Sequence, residues 1–296
     1  MKHKLSITLI LLGMFLLTQF IGLFILNQYA GNDLPFGLEE EKETVGISQI
    51  ILAFALAFVI IFTLMKYKWK FIIRAWFFLV VTLALAITLY AILKDYSMSA
   101  ELIAIAISVP LAYFKIFKPH ILVHNFTELL IYPGIASVFI PILNPLSILG
   151  LLILISIYDM WAVWKSGIMQ KMAKFQMEEL KIFGGFLIPS ASKKVKLQIK
   201  KIKEKYKDKE IPNKIKNKKF KVNLAILGGG DVIFPIITAG VFMRAYDIIP
   251  AIFIIFGALA GLIGLFLISK KGKAYPAMPY ITSGIFAGLI LWQIFF

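Results

Sequence analysis

The chain has 296 residues, 60% of them hydrophobic, no cysteine and a formal net charge of +16, with a mean hydropathy of +0.85. So apolar a composition excludes a soluble globular domain, and the lack of cysteine excludes disulfides, thiolate metal sites and cysteine nucleophiles. The charge is concentrated in residues 165–221, where 18 lysines face five acids; their run "KKVKLQIKKIKEKYKDKEIPNKIKNKKFK" has no glycine and only Tyr206 and Phe220 as aromatics, so it reads as a solvated segment beside anionic lipid and not as a nucleic-acid surface.

Apolar runs of about 20 residues, long enough to cross the hydrocarbon core as helices, recur nine times along the chain: 5–27, 46–65, 71–93, 99–117, 120–141, 145–165, 222–244, 248–269 and 276–296. The expected fold is an all-α polytopic membrane protein with nine transmembrane helices. The first run follows Lys2, His3 and Lys4, as a signal peptide would. Its apolar stretch from Leu5 to Leu26 is longer than a signal-peptide core, and "LNQYAGN" offers no small-x-small cleavage site, so it reads as retained.

The loops alternate in charge. Lys2 and Lys4 precede the first span, and the loop 31–45 is acidic, with Asp33, Glu39, Glu40, Glu41 and Glu43. Lys66, Lys68, Lys70 and Arg74 come next, then a near-neutral Lys94/Asp95, then Lys115 with Lys118. An uncharged Asn-Pro turn leads to the sixth span and the long lysine loop, and Lys270, Lys271 and Lys273 close the series. Basic loops on every second turn put the N-terminus in the cytoplasm and the C-terminus outside. The organisation expected is 1–166 for spans one to six, 167–221 for a basic cytoplasmic loop and 222–296 for spans seven to nine. Within that loop "IFGGFLIPS" (182–190), and before the seventh span "FKVNLAIL" (220–227), fit either extended strands or hydrophobes resting on the membrane.

Of the 16 acids only Glu128, Asp159 and Asp231 lie well inside spans. A carboxylate in hydrocarbon is costly, faces other helices or water, and marks a function. Counted from span ends at the helical rise, Asp159 lies roughly 9 Å and Asp231 roughly 13 Å from the cytoplasmic face. Two aspartates at one level on consecutive spans can meet. Two carboxylates in a poorly solvated site cannot both ionise cheaply, so such a pair holds one proton. The ionised member can then take a proton from water while the other donates to an amide carbonyl. Other proteolytic chemistries fit less well. No HExxH motif is present for zinc, and Ser48 of "GISQ" starts the second span at the outer face, far from His120 and His124.

Gly228, Gly229 and Gly230 directly precede Asp231. Glycines weaken a helix and admit close approach of another backbone; helix packing through small residues is the alternative. Beside an aspartate, approach by an extended substrate is the better reading. "AYPAMPYI" (274–281) opens the last span. Pro276 and Pro279 suit a helix start, and they also leave neighbouring backbone groups free to bind something extended.

Together these residues resemble presenilins and signal peptide peptidases, the GxGD intramembrane aspartyl proteases, with an archaeal presenilin-like homologue the nearest match. The likeness rests on Tyr158-Asp159, Gly228-Gly229-Gly230-Asp231 and Pro276-Ala277-Met278-Pro279 in the family's YD, GxGD, PAL order, and covers essentially the whole chain. Met278 stands where the family usually has leucine. The resemblance implies a presenilin-like fold, Asp159 and Asp231 as the catalytic pair, and Tyr158 beside them. It implies that Gly228, Gly229 and Gly230 support the active site and that Pro276, Ala277, Met278 and Pro279 shape the substrate cleft. Single-span membrane proteins would be the substrates; no cofactor, metal or nucleic acid is expected, and no accessory subunit is specified. Segments such as 182–190 and 220–227 would form strands that pair with substrate.

Three features stand outside that scheme. Glu128 lies roughly 12 Å into the fifth span, four residues after His124 on one helix face; it reads as a His–Glu pair facing other helices, or as a group serving water access or proton supply. Trp161 and Trp164 read as interface anchors. Paired acids and a glycine-broken helix also occur in proton- or cation-coupled transporters, although those show internal repeats and a midplane site. A prepilin-type peptidase would share the GxGD aspartate without the Pro276–Pro279 stretch.

Overall fold

A computed structural model describes residues 5–30, 34–37, 46–67, 69–167, 172, 175–180, 182–190, 223–270 and 274–296. Among these, nine long α-helices run in chain order: α1 (Leu5–Gln28), α2 (Ile47–Lys66), α3 (Lys70–Leu93), α4 (Ala100–Phe117), α5 (Ile121–Phe139), α6 (Pro145–Trp161), α7 (Gly229–Ala245), α8 (Ile248–Ile268) and α9 (Met278–Phe295). Among the described residues, α1, α3, α4, α5, α6 extended to Ser166, α8 and α9 are long and apolar enough to cross a membrane by length and composition. The chain is thus mostly helical, with seven candidate membrane spans among the described residues. The basic run 191–222, most of the acidic loop 31–45 and Lys271–Lys273 lie outside the described residues.

Local chemistry sets several boundaries. The Asn144 side chain accepts from the Ser147 backbone N–H at 2.8 Å, and Pro145 takes the first turn of α6, so the Asn-Pro turn is a capped helix start. Pro110, Pro133 and Pro235 lie inside α4, α5 and α7. Neighbouring side chains take up backbone carbonyls along such helices: Thr88 Oγ1 donates to the Leu130 carbonyl at 2.7 Å, from α3 to α5. α8 and α9 form the most extensive helix pair. Their backbones come so close that a Cβ on Gly284 would stand 2.1 Å from the Gly257 carbonyl oxygen, the close approach that small residues permit in membrane helices.

Two features depart from an all-helical reading. After Trp161 the sixth span continues as a π-helical turn over Ala162–Ser166, ending at Gly167 with φ +61°. Then β1 (Gly185–Ser190) and β2 (Asn223–Gly228) pair antiparallel, Gly185 opposite Gly228 and Ser190 opposite Asn223. The expected seventh span, 222–244, is corrected accordingly: its first residues are strand, and the helix starts at Gly229. The reason is packing. Ala225 and Leu227 alternate inward with Phe186 and Ile188 into the central core, while Leu224 and Ile226 are 40% exposed. The glycines that follow have low helix propensity, so they mark where the helix begins and do not interrupt one.

The outer edge of β1 is covered. Asn125 of α5 takes Leu187 at both backbone groups: its Nδ2 donates to the carbonyl at 2.9 Å, and its Oδ1 accepts from the N–H at 3.0 Å. The backbone groups of Leu187 therefore point away from β2. By the alternation of an antiparallel pair, those of Leu224, Ile226 and Gly228 point away from β1. Among the described residues the sheet has two strands, and the edge of β2 away from β1 is open among them.

Candidate active site

Asp159 lies near the C-terminal end of α6 and is 8% exposed. A helix C-terminus is an unfavourable place for an anion, and a second helix compensates. Met278 begins α9, and its N–H has no acceptor within that helix. That N–H donates to Asp159 Oδ2 at 3.0 Å, with the Ala277 N–H also directed at the carboxylate. Pro279 follows within the first turn, where a missing donor costs nothing. One turn earlier on α6, Ser156 Oγ donates to Thr282 Oγ1 of α9 at 2.8 Å and holds the two helices together.

Asp231 is the third residue of α7, partly buried, and the Gly228 N–H is directed at its carboxylate. This is the N-terminal capping geometry in which an acid in the first turn reaches back to the residue that caps the helix. Gln19 of α1 steadies the same turn, its Nε2 donating to the Val232 carbonyl at 3.0 Å. α6 packs on α7, and Asp159 is close enough to act electrostatically on Asp231. Each carboxylate thus sits at a helix N-terminus, Asp231 at that of its own helix and Asp159 at that of α9. The depth of Asp231 cannot follow from helical rise, because six residues of strand come first and an extended residue advances about twice as far as a helical one.

The three glycines divide by environment. A Cβ on Gly229 would stand 2.7 Å from the Tyr132 hydroxyl, and one on Gly228 would stand 3.1 Å from Asp231 Oδ2. Gly230 is exposed, and a Cβ there would meet only the Phe234 ring at 3.8 Å. It leaves an open approach beside Asp231.

The remaining sequence candidates fall less simply. Pro276 and Met278 are buried and Ala277 and Pro279 half-buried, and the Met278 side chain belongs to the apolar core. The stretch therefore reaches the site through its backbone N–H groups. Tyr158 is half-buried, within electrostatic reach of Asp159, its ring 6.2 Å from that of Trp161. Trp161 and Trp164 are exposed. Glu128 is buried, and its closest partner is Lys115 of α4, with His124 Nε2 at 3.7 Å. Lys115, read from sequence as a loop charge, is in fact buried. Tyr132 and Asn125 went unnoticed in the sequence; the signal available was the spacing 124, 128, 132, which places three polar side chains on one helix face.

Apolar helices enclosing the carboxylates of Asp159, Asp231 and Glu128 define a multi-pass membrane protein. A family model described as signal-peptide peptidase, presenilin aspartyl protease matches residues 12–296, and the chain belongs to that family. Two solved structures of presenilin family intramembrane aspartate proteases, one in a P2 and one in a C222 space group, share its fold. The first is 19% identical at a TM-score of 0.61, covering 97% of each chain. The second is 18% identical at a TM-score of 0.61, covering 98% of this chain and 99% of that one. No curated protein matches. The chain is thus an intramembrane aspartyl protease, an aspartic endopeptidase acting on membrane helices within the bilayer, and nothing in its fold or its relatives favours transport.

Proposed function

We propose that Asp159 and Asp231 are the catalytic pair and that they hydrolyse peptide bonds of single-span membrane proteins. The ionised carboxylate takes a proton from water, whose oxygen attacks the scissile carbonyl carbon, while the protonated carboxyl donates to the carbonyl oxygen. Breaking the C–N bond then sends a proton to the leaving nitrogen. The observation that carries this reading is the placing of both acids at helix N-termini on packed helices, each held by backbone N–H groups. Such anchoring fixes the carboxylates before substrate arrives.

Substrate enters extended, along the outer edge of β2, whose outward groups at Leu224 and Ile226 lead to Asp231. Gly230 leaves room for its backbone. Tyr158 lies beside the pair, Gly228 and Gly229 shape the turn into α7, and Pro276, Ala277, Met278 and Pro279 form the wall that holds Asp159. All nine helices span the membrane, with the N-terminus cytoplasmic and the C-terminus outside. Residues 1–166, 167–221 and 222–296 then form the two helical parts and the basic cytoplasmic loop between them. The motif set fits an archaeal presenilin-like homologue.

The test is cleavage of single-span substrates in vesicles by the purified protein, compared with Asp159→Asn and Asp231→Asn. Either substitution is expected to abolish cleavage without unfolding the protein. Persistent cleavage by either variant would remove the dyad.

A further inference from the structure

A second polar cluster lies behind the sheet, and no step of the hydrolysis uses it. Lys115 of α4 pairs with Glu128 of α5, both side chains almost fully buried at 4% and 2% exposure. Replacing a buried ion pair with apolar groups often costs no stability, so its retention calls for another reason. Lys115 Nζ also lies 3.3 Å from His124 Nδ1. An ammonium group can only donate, so Nδ1 accepts and the neutral ring carries its proton on Nε2. That nitrogen donates to the Gly185 carbonyl oxygen at 2.8 Å. The ion pair therefore fixes the tautomer of His124, and His124 in turn fixes one backbone carbonyl of β1.

Gly185 is a sensitive place for such a tether. It has φ +137°, a conformation that suits glycine, and a Cβ there would lie 2.4 Å from the Leu227 carbonyl oxygen. It stands opposite Gly228, and the adjoining Gly184 carbonyl accepts from the Gly229 N–H at 3.2 Å. Gly228 caps the helix that begins by presenting Asp231. The chain of contacts thus runs from a buried charge pair, through one imidazole, to the corner where strand becomes helix beside the aspartate.

We propose that Lys115, Glu128 and His124 are positioning residues which hold the Gly185–Gly228 corner beside Asp231, and so decide where substrate seats along β2 and which of its bonds is cut. The proposal rests on the reading of β2 as the strand that receives substrate. A strand repeats its outward backbone groups every second residue, so when the tether no longer holds that corner an added strand can settle about two residues along β2.

The experiment reads cleavage position, by mass spectrometry of products from a single-span substrate in vesicles. His124→Leu removes both ring contacts and is expected to move cleavage by about two residues or spread it over neighbouring bonds. His124→Gln, whose amide can donate to Gly185 and accept from Lys115, is expected to restore the original position. Glu128→Gln keeps the shape of the cluster but releases the ammonium, and is expected to shift cleavage in the same direction even where His124→Leu yields little folded protein. A merely structural role would lower the rate and leave the products unchanged. Unmoved products in both His124→Leu and Glu128→Gln would therefore overturn the proposal while the protease reading stands. Absence of cleavage by the unaltered protein would bring down both.

Discussion

Met278 shows how a single position can act through its backbone alone. Its side chain packs in the core, while its N–H reaches Asp159. Met278→Leu, of similar volume and keeping the N–H, is expected to leave cleavage nearly unchanged. Met278→Pro deletes the donor to a charged group, an interaction worth roughly 1.5–3 kcal/mol, and is expected to depress cleavage strongly. Thermal unfolding of both variants, measured beside cleavage, separates the two contributions. Equal activity in the Leu and Pro variants would show that this hydrogen bond does not hold the aspartate in its working position. Leucine, usual here in the family, satisfies the same two demands as methionine.

At the scale of elements, the sheet is where position in the ladder decides consequence. The Leu227 backbone faces β1, and that of Ile226 faces outward. Proline removes the donor in either case. Leu227→Pro is expected to break the sheet and lower the melting temperature. Ile226→Pro is expected to leave the fold intact and weaken cleavage by raising KM, because it removes an outward N–H that an added strand would use. Unchanged KM in Ile226→Pro would argue that substrate does not pair along this edge. The clamp on the other side is also specific. Asn125 occupies both outward groups of Leu187, which directs any added strand to β2 and blunts an edge that would otherwise invite pairing.

The whole molecule is arranged so that a site built near one end of the helices is held by contacts along their length. α8 and α9 meet backbone to backbone through Gly257 and Gly284, which fixes the start of α9 and with it the donors to Asp159. The charge pattern of the loops sets the expected orientation, and the absence of cysteine makes it directly measurable. A cysteine introduced at position 200 is expected to resist a membrane-impermeant thiol reagent in right-side-out vesicles, and one at position 296 is expected to react. The reverse labelling would invert the assigned topology and the polarity with which substrates enter.

Much of the molecule was legible in the sequence. Apolar length and loop charge outlined the helical runs, because in hydrocarbon a segment must satisfy its own backbone hydrogen bonds. The cost of burying carboxylates singled out Asp159, Asp231 and Glu128 among 16 acids. What stayed hidden depends on contacts between distant segments. Residues 223–228 form a strand because 185–190 lies beside them, so Asp231 heads a helix where sequence alone placed it deep within one. Lys115 is a buried partner of Glu128 because α4 packs on α5, a fact its place near a loop could not reveal. Periodicity and transfer energy are properties of a local stretch and can be read from it. Pairing across the fold is decided by which surfaces meet, and only the tertiary structure records that.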